Sequence, residues 1–254
     1  MRLTLLQTDI IPANYTANLA AASALISSAP AADLYILPEM FATGFIVSPT
    51  PADAESGRAV TRWMTDTATS LKAHIAASVL VAEQGRFYNR FTLAAPDGST
   101  TTADKRHLFS MGGEAKAYAP GVRRVVVNVA GVRLLLTVCY DLRFPVWSRT
   151  VAADYDAMVC VANWPASRML QWDTLLRARA IENQAYLVGV NRVGTAGKIA
   201  YSGHSQAFDP WGADMARCPD GEVSALAVDI SAERVAEVRR KFPALADADE
   251  FSLA

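Results

Sequence analysis

Three short segments of this 254-residue chain each place a reactive side chain at or just beyond the end of an apolar run. They are Leu37-Pro38-Glu39-Met40, Ala103-Asp104-Lys105-Arg106-His107-Leu108-Phe109 and Leu136-Thr137-Val138-Cys139-Tyr140-Asp141. A carboxylate, an ammonium and a thiol gathered in one crevice form a complete set for acyl transfer. The thiol attacks a carbonyl as thiolate, and a neighbouring base and cation lower the cost of forming that anion. Glu39 would take the Cys139 proton, hand it to the departing amine and later activate water. Lys105 and the backbone N–H of Tyr140 would face the oxygen that becomes negative. Glu114, in the polar loop Ser110-Met111-Gly112-Gly113-Glu114, could orient Lys105 or the substrate nitrogen. Taken singly, each residue has an ordinary structural role: a cysteine ending a strand is usually core, and a lysine in a charged run is usually solvated.

These segments need a scaffold that brings strand ends together. Apolar runs at 3–6, 34–37, 75–82, 156–161, 186–191, 205–208 and 223–228 read as strands. Pro96-Asp97-Gly98-Ser99 joins 87–95 to 100–106 as a hairpin, and Ala130-Gly131 joins 124–129 to 132–139 in the same way. Helix patterns cover 14–28, which Pro30 stops, 56–74 and 167–184. Antiparallel hairpins beside helix-crossover strands predict an α/β fold of two packed mixed sheets with helices outside. In such sheets ligands bind beyond the carboxyl ends of the strands, where Glu39 and Cys139 fall. No linker divides the chain, so residues 1–254 are read as one domain, with 244–254 as a loose tail.

Composition removes several classes of function. The chain is 52% apolar and 19% charged, with 24 basic against 25 acidic residues, so it can bury a large core and offers no basic footprint for nucleic acid. No apolar run is long enough for a membrane helix, and the first residues do not read as a signal peptide. Three cysteines, Cys139, Cys160 and Cys218, fit neither a disulfide framework nor a zinc knuckle, so no metal is expected and the cytoplasm is the expected compartment. A papain-type site would need a histidine partner for Cys139 from among His74, His107 and His204, without the local sequence of that family. Gly189, Gly194 and Gly197 lack the lysine spacing of a phosphate-binding loop.

The three segments together resemble the nitrilase, or carbon–nitrogen hydrolase, superfamily. The matches are Glu39 in Leu-Pro-Glu-Met-Phe, Lys105 in Asp-Lys-Arg-His-Leu-Phe and Cys139 in Val-Cys-Tyr-Asp-Leu-Arg-Phe-Pro, and the likeness runs from Leu3 to about Val228. The resemblance implies a four-layer αββα sandwich, a homodimer paired through a helical face, and hydrolysis through a thioester without cofactor. It also implies a second glutamate, which maps onto Glu114. Within the superfamily the chain looks most like the bacterial ω-amidases, on the segments 144–149, 161–168, 179–186 and 191–194. Val146 stands where many relatives carry glutamate, which favours this subgroup over carbamoylases.

That subgroup cleaves the terminal amide of α-ketoglutaramate and α-ketosuccinamate to the 2-oxo diacid and ammonia. Such a substrate carries a carboxylate, for which Arg143, Arg168 and Arg192 are the candidate partners; Arg143 is read as a structural salt bridge or loop-fixing residue. Tyr140, Trp164, Phe41 and Met111 are the expected substrate-binding walls. The alternatives are an amidase or carbamoylase for another small amide, and a catalytically silent scaffold or binding protein on the same fold.

Overall fold

The computed structural model describes residues 1–249. One six-stranded sheet is built from β1 (Arg2–Gln7), β2 (Leu34–Ile36), β3 (His74–Glu83), β4 (Arg86–Ala94), β5 (Thr100–Asp104) and β14 (Ser224–Asp229), in spatial order β14-β1-β2-β3-β4-β5. The second runs β13-β12-β9-β8-β7-β6, from β6 (Val126–Val129), β7 (Val132–Val138), β8 (Ala157–Ala162), β9 (Tyr186–Asn191), β12 (Gln206–Phe208) and β13 (Asp214–Arg217). A separate hairpin joins β10 (Val193–Ala196) to β11 (Ile199–Ser202). In each sheet three central strands, β1-β2-β3 and β7-β8-β9, are parallel and the flanks are antiparallel.

Alternation along the strands stacks the layers. Leu3, Leu5, Leu34, Ile36 and Ala76 of the first sheet meet Leu134, Leu136, Val138, Val159, Val161 and Val188 of the second in one inner core. The opposite faces are covered from outside. Leu6, Tyr35, Ile75, Ala77 and Val79 pack under α1 (Tyr15–Ser28) and α2 (Pro51–Leu71). Leu135, Met158 and Cys160 pack under Trp172, Leu176 and Ala180 of α5 (Met169–Asn183), which follows the one-turn helices α3 (Glu114–Ala117) and α4 (Pro145–Ser148). The result is the expected αββα order.

Several boundaries differ from the sequence pattern for local reasons. Helix α2 starts at Pro51 because Thr50 and Asp53 form a capping box, a terminus that outranks the apolar periodicity beginning near 56. The hairpin β10–β11 contributes only Val193 and Tyr201 to the buried set, too few to announce strands. A helix over Ala232–Lys241 buries only Val235 and Val238, and six of its other eight residues are charged. The predicted tail begins with a single 3-10 turn, Ala244–Asp247, and its residues 250–254 lie outside the described residues. Among the described residues no helix is long and apolar enough to cross a membrane.

Candidate active site

The parallel strands of both sheets end at the same edge of the inner core. Glu39 follows β2, Cys139 follows β7, Asn163 follows β8, and Lys105 extends the antiparallel β5. All four line one cavity of about 160 Å³.

Glu39, Lys105 and Glu114 are 1%, 2% and 0% exposed, so each charge must be satisfied by the others. Lys105 Nζ donates to Glu39 Oε1 at 2.9 Å and to Glu114 Oε1 and Oε2 at 3.1 and 2.9 Å. Burial by itself pushes the lysine pKa down, but Glu39 and Glu114 outweigh it and hold the ammonium well above its ordinary range. Phe109 N donates to Glu114 Oε2 at 2.7 Å and fixes the loop that carries this glutamate. Asn163 N donates to Glu39 Oε2 at 2.8 Å, and its Nδ2 to the Glu39 carbonyl at 2.9 Å.

Cys139 stands at the head of a 3-10 turn, Cys139–Arg143, with φ of 46°. A non-glycine residue in that region is strained by about 1–2 kcal/mol and persists only where its surroundings hold it. Asp141 does the holding: Val138 N donates to its Oδ2 at 3.0 Å and His107 N to its Oδ1 at 2.9 Å. The His107 ring also lies 2.8 Å from Asp141 Oδ1 and stacks on Phe144 with centroids 3.6 Å apart. The cysteine turn is thereby tied to the loop that follows Lys105, and His107 is a satisfied polar neighbour of the site.

Burial pushes the Cys139 thiol pKa well up, and Glu39 adds to this. Lys105 pulls it down without winning, so the expected help from the cation is real but insufficient, and the resting group is a protonated thiol. Cys160, beneath it in the outer layer, is pushed up to about 12 by burial.

The remaining candidates divide. Tyr140 and Trp164 line the cavity as expected; Trp164 is anchored by Nε1 donating to the Arg168 carbonyl at 2.7 Å. Phe41 does not line it: Met40 turns with φ of 43°, and Phe41 packs against Trp63, centroids 5.6 Å apart, in the layer beneath α2. Met111 does not either, since it is 92% exposed on the turn Ser110–Gly112, whose Gly112 lines the cavity instead.

Arg143 corrects its expectation as a structural salt bridge. Its guanidinium lies over the Trp164 ring at 4.8 Å, inside the cavity lining, and meets no carboxylate among the described residues. Arg168 lies over Phe109 at 5.3 Å in the same way. Arg192 is withdrawn from the lining; it bonds Asp9 and the carbonyls of Ile10 and Val193, and backs the Tyr201 ring at 4.5 Å.

Asn89, Asn163, Phe45 and Tyr201 were missed as site residues. Asn89 alone carried a usable signal, a polar residue in phase with the inward-facing Phe91 and Leu93 of its strand. No group of three or more histidine, cysteine or carboxylate side chains among the described residues is arranged to hold a metal ion.

Comparison with known proteins agrees with this geometry. The family model for carbon–nitrogen hydrolase matches residues 2–240. The chain is 42% identical over 254 residues to an omega-amidase of Escherichia coli (strain K12), across 100% of this chain and 98% of that protein. It is 33% identical over 220 residues to a 2-oxoglutaramate amidase of Bacillus subtilis (strain 168), across 85% of each. A solved carbon–nitrogen hydrolase superfamily protein from Xanthomonas campestris, with an arsenic adduct in its active site, superposes with a TM-score of 0.92 at 37% identity, covering 100% of this chain and 99% of that one.

Proposed function

The chain belongs to the carbon–nitrogen hydrolase family, and we propose that it hydrolyses the terminal amide of short 2-oxo acid ω-amides, α-ketoglutaramate and α-ketosuccinamate, through a thioester on Cys139. The observation that carries this reading is the pair of guanidinium groups, Arg143 and Arg168, in a small cavity with Glu39, Lys105 and Cys139. Two cations without carboxylate partners among the described residues call for an anionic substrate. The names of the similar bacterial enzymes support the same substrate class.

In the first step the Cys139 S–H bond breaks, its proton goes to Glu39, and the sulfur pair forms a bond to the amide carbon. The amide oxygen becomes negative. An ammonium has three donors, and Lys105 spends them on Glu39 Oε1 and both oxygens of Glu114; giving up one of the two bonds to Glu114 frees an N–H for that oxygen beside the Tyr140 backbone N–H. The C–N bond then breaks, Glu39 returns the proton to nitrogen, and ammonia departs. Water adds to the thioester as Glu39 takes its proton, and cleavage of the C–S bond restores the thiol. Glu114 keeps Lys105 charged and aimed. Stacking on Trp164 and Phe109 keeps the two guanidinium planes in place for the distal carboxylate.

The same reading takes the protein as a cytoplasmic homodimer, with Leu170 and Ile181 of α5, 75% and 51% exposed, on the helical face that pairs. The test is ammonia release from α-ketoglutaramate, glutamine and an N-carbamoyl amino acid, by the native protein and by Cys139→Ala. Release from the keto acid amide, lost in the variant, is the expected result. Reaction of glutamine or the carbamoyl compound alone would move the protein to another amide within the family. Silence on all three, with Cys139 unreactive to iodoacetamide, would favour a scaffold.

A further inference from the structure

Asn89, on β4, touches both carboxylates of the buried cluster with its side chain and the backbone of its lysine. Its Nδ2 donates to Glu39 Oε1 at 2.7 Å and to Glu114 Oε1 at 3.2 Å, while its backbone carbonyl accepts from Lys105 N at 2.9 Å. The residue is 1% exposed, and its Oδ1 has no partner among the described residues. A residue retained only for packing would not bury an unsatisfied carbonyl oxygen at that cost. In this cluster two carboxylates face one ammonium, and the Asn89 amide is a neutral donor that both carboxylates share.

The two oxygens of Glu39 are therefore unequal. Oε1 accepts from both Lys105 and Asn89, whereas Oε2 accepts from Asn163 N alone. A carboxylate oxygen offers about two lone-pair positions, so Oε1 is full and the remaining position belongs to Oε2.

We propose that Asn89 is a positioning residue for the hydrolysis: by filling Oε1 and donating to both glutamates, it reserves Oε2 of Glu39 as the atom that takes the Cys139 proton. In that transfer S–H breaks, O–H forms on Oε2, and the sulfur pair is released toward the amide carbon. The inference rests on the proposed role of Glu39 as base.

The experiment compares the native protein with Asn89→Ala, Asn89→Asp and Glu39→Gln. It measures kcat and KM for α-ketoglutaramate from pH 5 to 9, the rate of Cys139 alkylation by iodoacetamide over the same range, and Tm. Asn89→Ala is expected to lower kcat about 10- to 100-fold with KM changed less than about twofold. Its acid limb in kcat/KM should move toward higher pH, because the carboxylate form loses a hydrogen-bond donor. Asn89→Asp has the same size but donates only while protonated, so its activity should be confined to the acid side.

An Asn89→Ala profile that superposes on the native one would overturn the proposal, as would a fall in kcat with unshifted limbs in both variants. If Asn89→Ala does not fold, Asn89→Asp decides by the same criterion. If the native protein hydrolyses no α-ketoglutaramate, the alkylation profiles carry the comparison, and an unshifted Asn89→Ala curve overturns the proposal. A fully active Glu39→Gln would sink the base assignment and this inference with it, whereas an inactive Glu39→Gln beside native-like Asn89 variants would sink this inference alone.

Discussion

Replacing Lys105 with methionine keeps the length of the side chain, removes one buried charge and strands two. Glu39 and Glu114 are 1% and 0% exposed, so solvent cannot take over the lost ammonium. Breaking a buried pair by removing one partner costs about 3–5 kcal/mol, and here both carboxylates lose the same partner. With about 2.1 cal/mol/K of unfolding entropy per residue, a chain of 254 residues loses roughly 2 °C of Tm per kcal/mol, so the drop should be about 6–10 °C. The pH dependence gives a second, independent check. In the native protein Lys105 has a pKa raised above its unfolded value, so its contribution is fully present below the ordinary lysine range and is lost only as pH rises through the raised value. In Lys105→Met the folded state can relieve itself only by protonating a carboxylate. It then binds a proton that the unfolded chain does not, and the gap to the native protein narrows as pH falls. Thermal melts by circular dichroism from pH 5 to 8 read both effects, and Lys105→Met/Glu114→Gln should regain part of the loss. A variant within 2 °C of native at pH 8, or a gap that widens toward acid, would refute the account of this cluster. Turnover should fall about 10²- to 10³-fold from loss of the oxyanion donor.

Two further outcomes follow from the cavity and its support. Arg143→Met and Arg168→Met should each raise KM for α-ketoglutaramate about 10- to 100-fold, as expected for a lost charge-assisted hydrogen bond. Steady-state kinetics on an uncharged amide such as butyramide should change less than about twofold; equal losses on both substrates would remove the arginines from carboxylate recognition. Gly121→Ala should destabilise the protein by about 1–3 kcal/mol and lower kcat together, because a Cβ there would stand 2.1 Å from the carbonyl of Asp104, next to Lys105. Native Tm and kcat in that variant would show that the strand carrying Lys105 tolerates displacement.

What the sequence disclosed depended on how local each cause was. The strand Tyr186–Asn191 and the end of the helix at Ser28 follow from apolar runs and a proline stop, and the structure reproduces them. Glu39, Lys105 and Cys139 stood out because strand ends with reactive groups recur three times, but it was the resemblance to the carbon–nitrogen hydrolase superfamily that joined them into one expected site. Asn163 and Tyr201 were not, because their contributions are a backbone N–H and a ring on a glycine-rich hairpin, neither of which has a compositional signature. Phe41 misled for a related reason: the turn at Met40 reverses the face that simple adjacency to Glu39 would assign, and no residue type announces that left-handed φ. The salt bridge expected of Arg143 was not legible, since pairing depends on where carboxylates lie in space, and none lies there among the described residues.

The charges around the cavity fix more than affinity. At one wall stand Glu39 and Lys105, with Glu114 behind them so that two carboxylates share a single ammonium; at another stand two guanidinium groups. A substrate with a carboxylate at one end and a neutral amide at the other has one favourable orientation in that field, with the amide at Cys139 and the carboxylate at Arg143 and Arg168. The reversed pose would press a carboxylate against Glu39 and Glu114, and in a buried site that repulsion is only weakly screened. Hydrolysis then changes the sign of the contact. The new carboxylate forms where the neutral amide stood, beside Glu39 and with Glu114 behind the lining, while the distal one remains on the arginines. Ground-state substrate is thus held by the field and product is pushed out by it. For that reason Glu114→Gln, which removes one of the two negative charges and keeps one of the two acceptor oxygens, should slow product release and lower the inhibition constant of the diacid product, even where Lys105 remains charged.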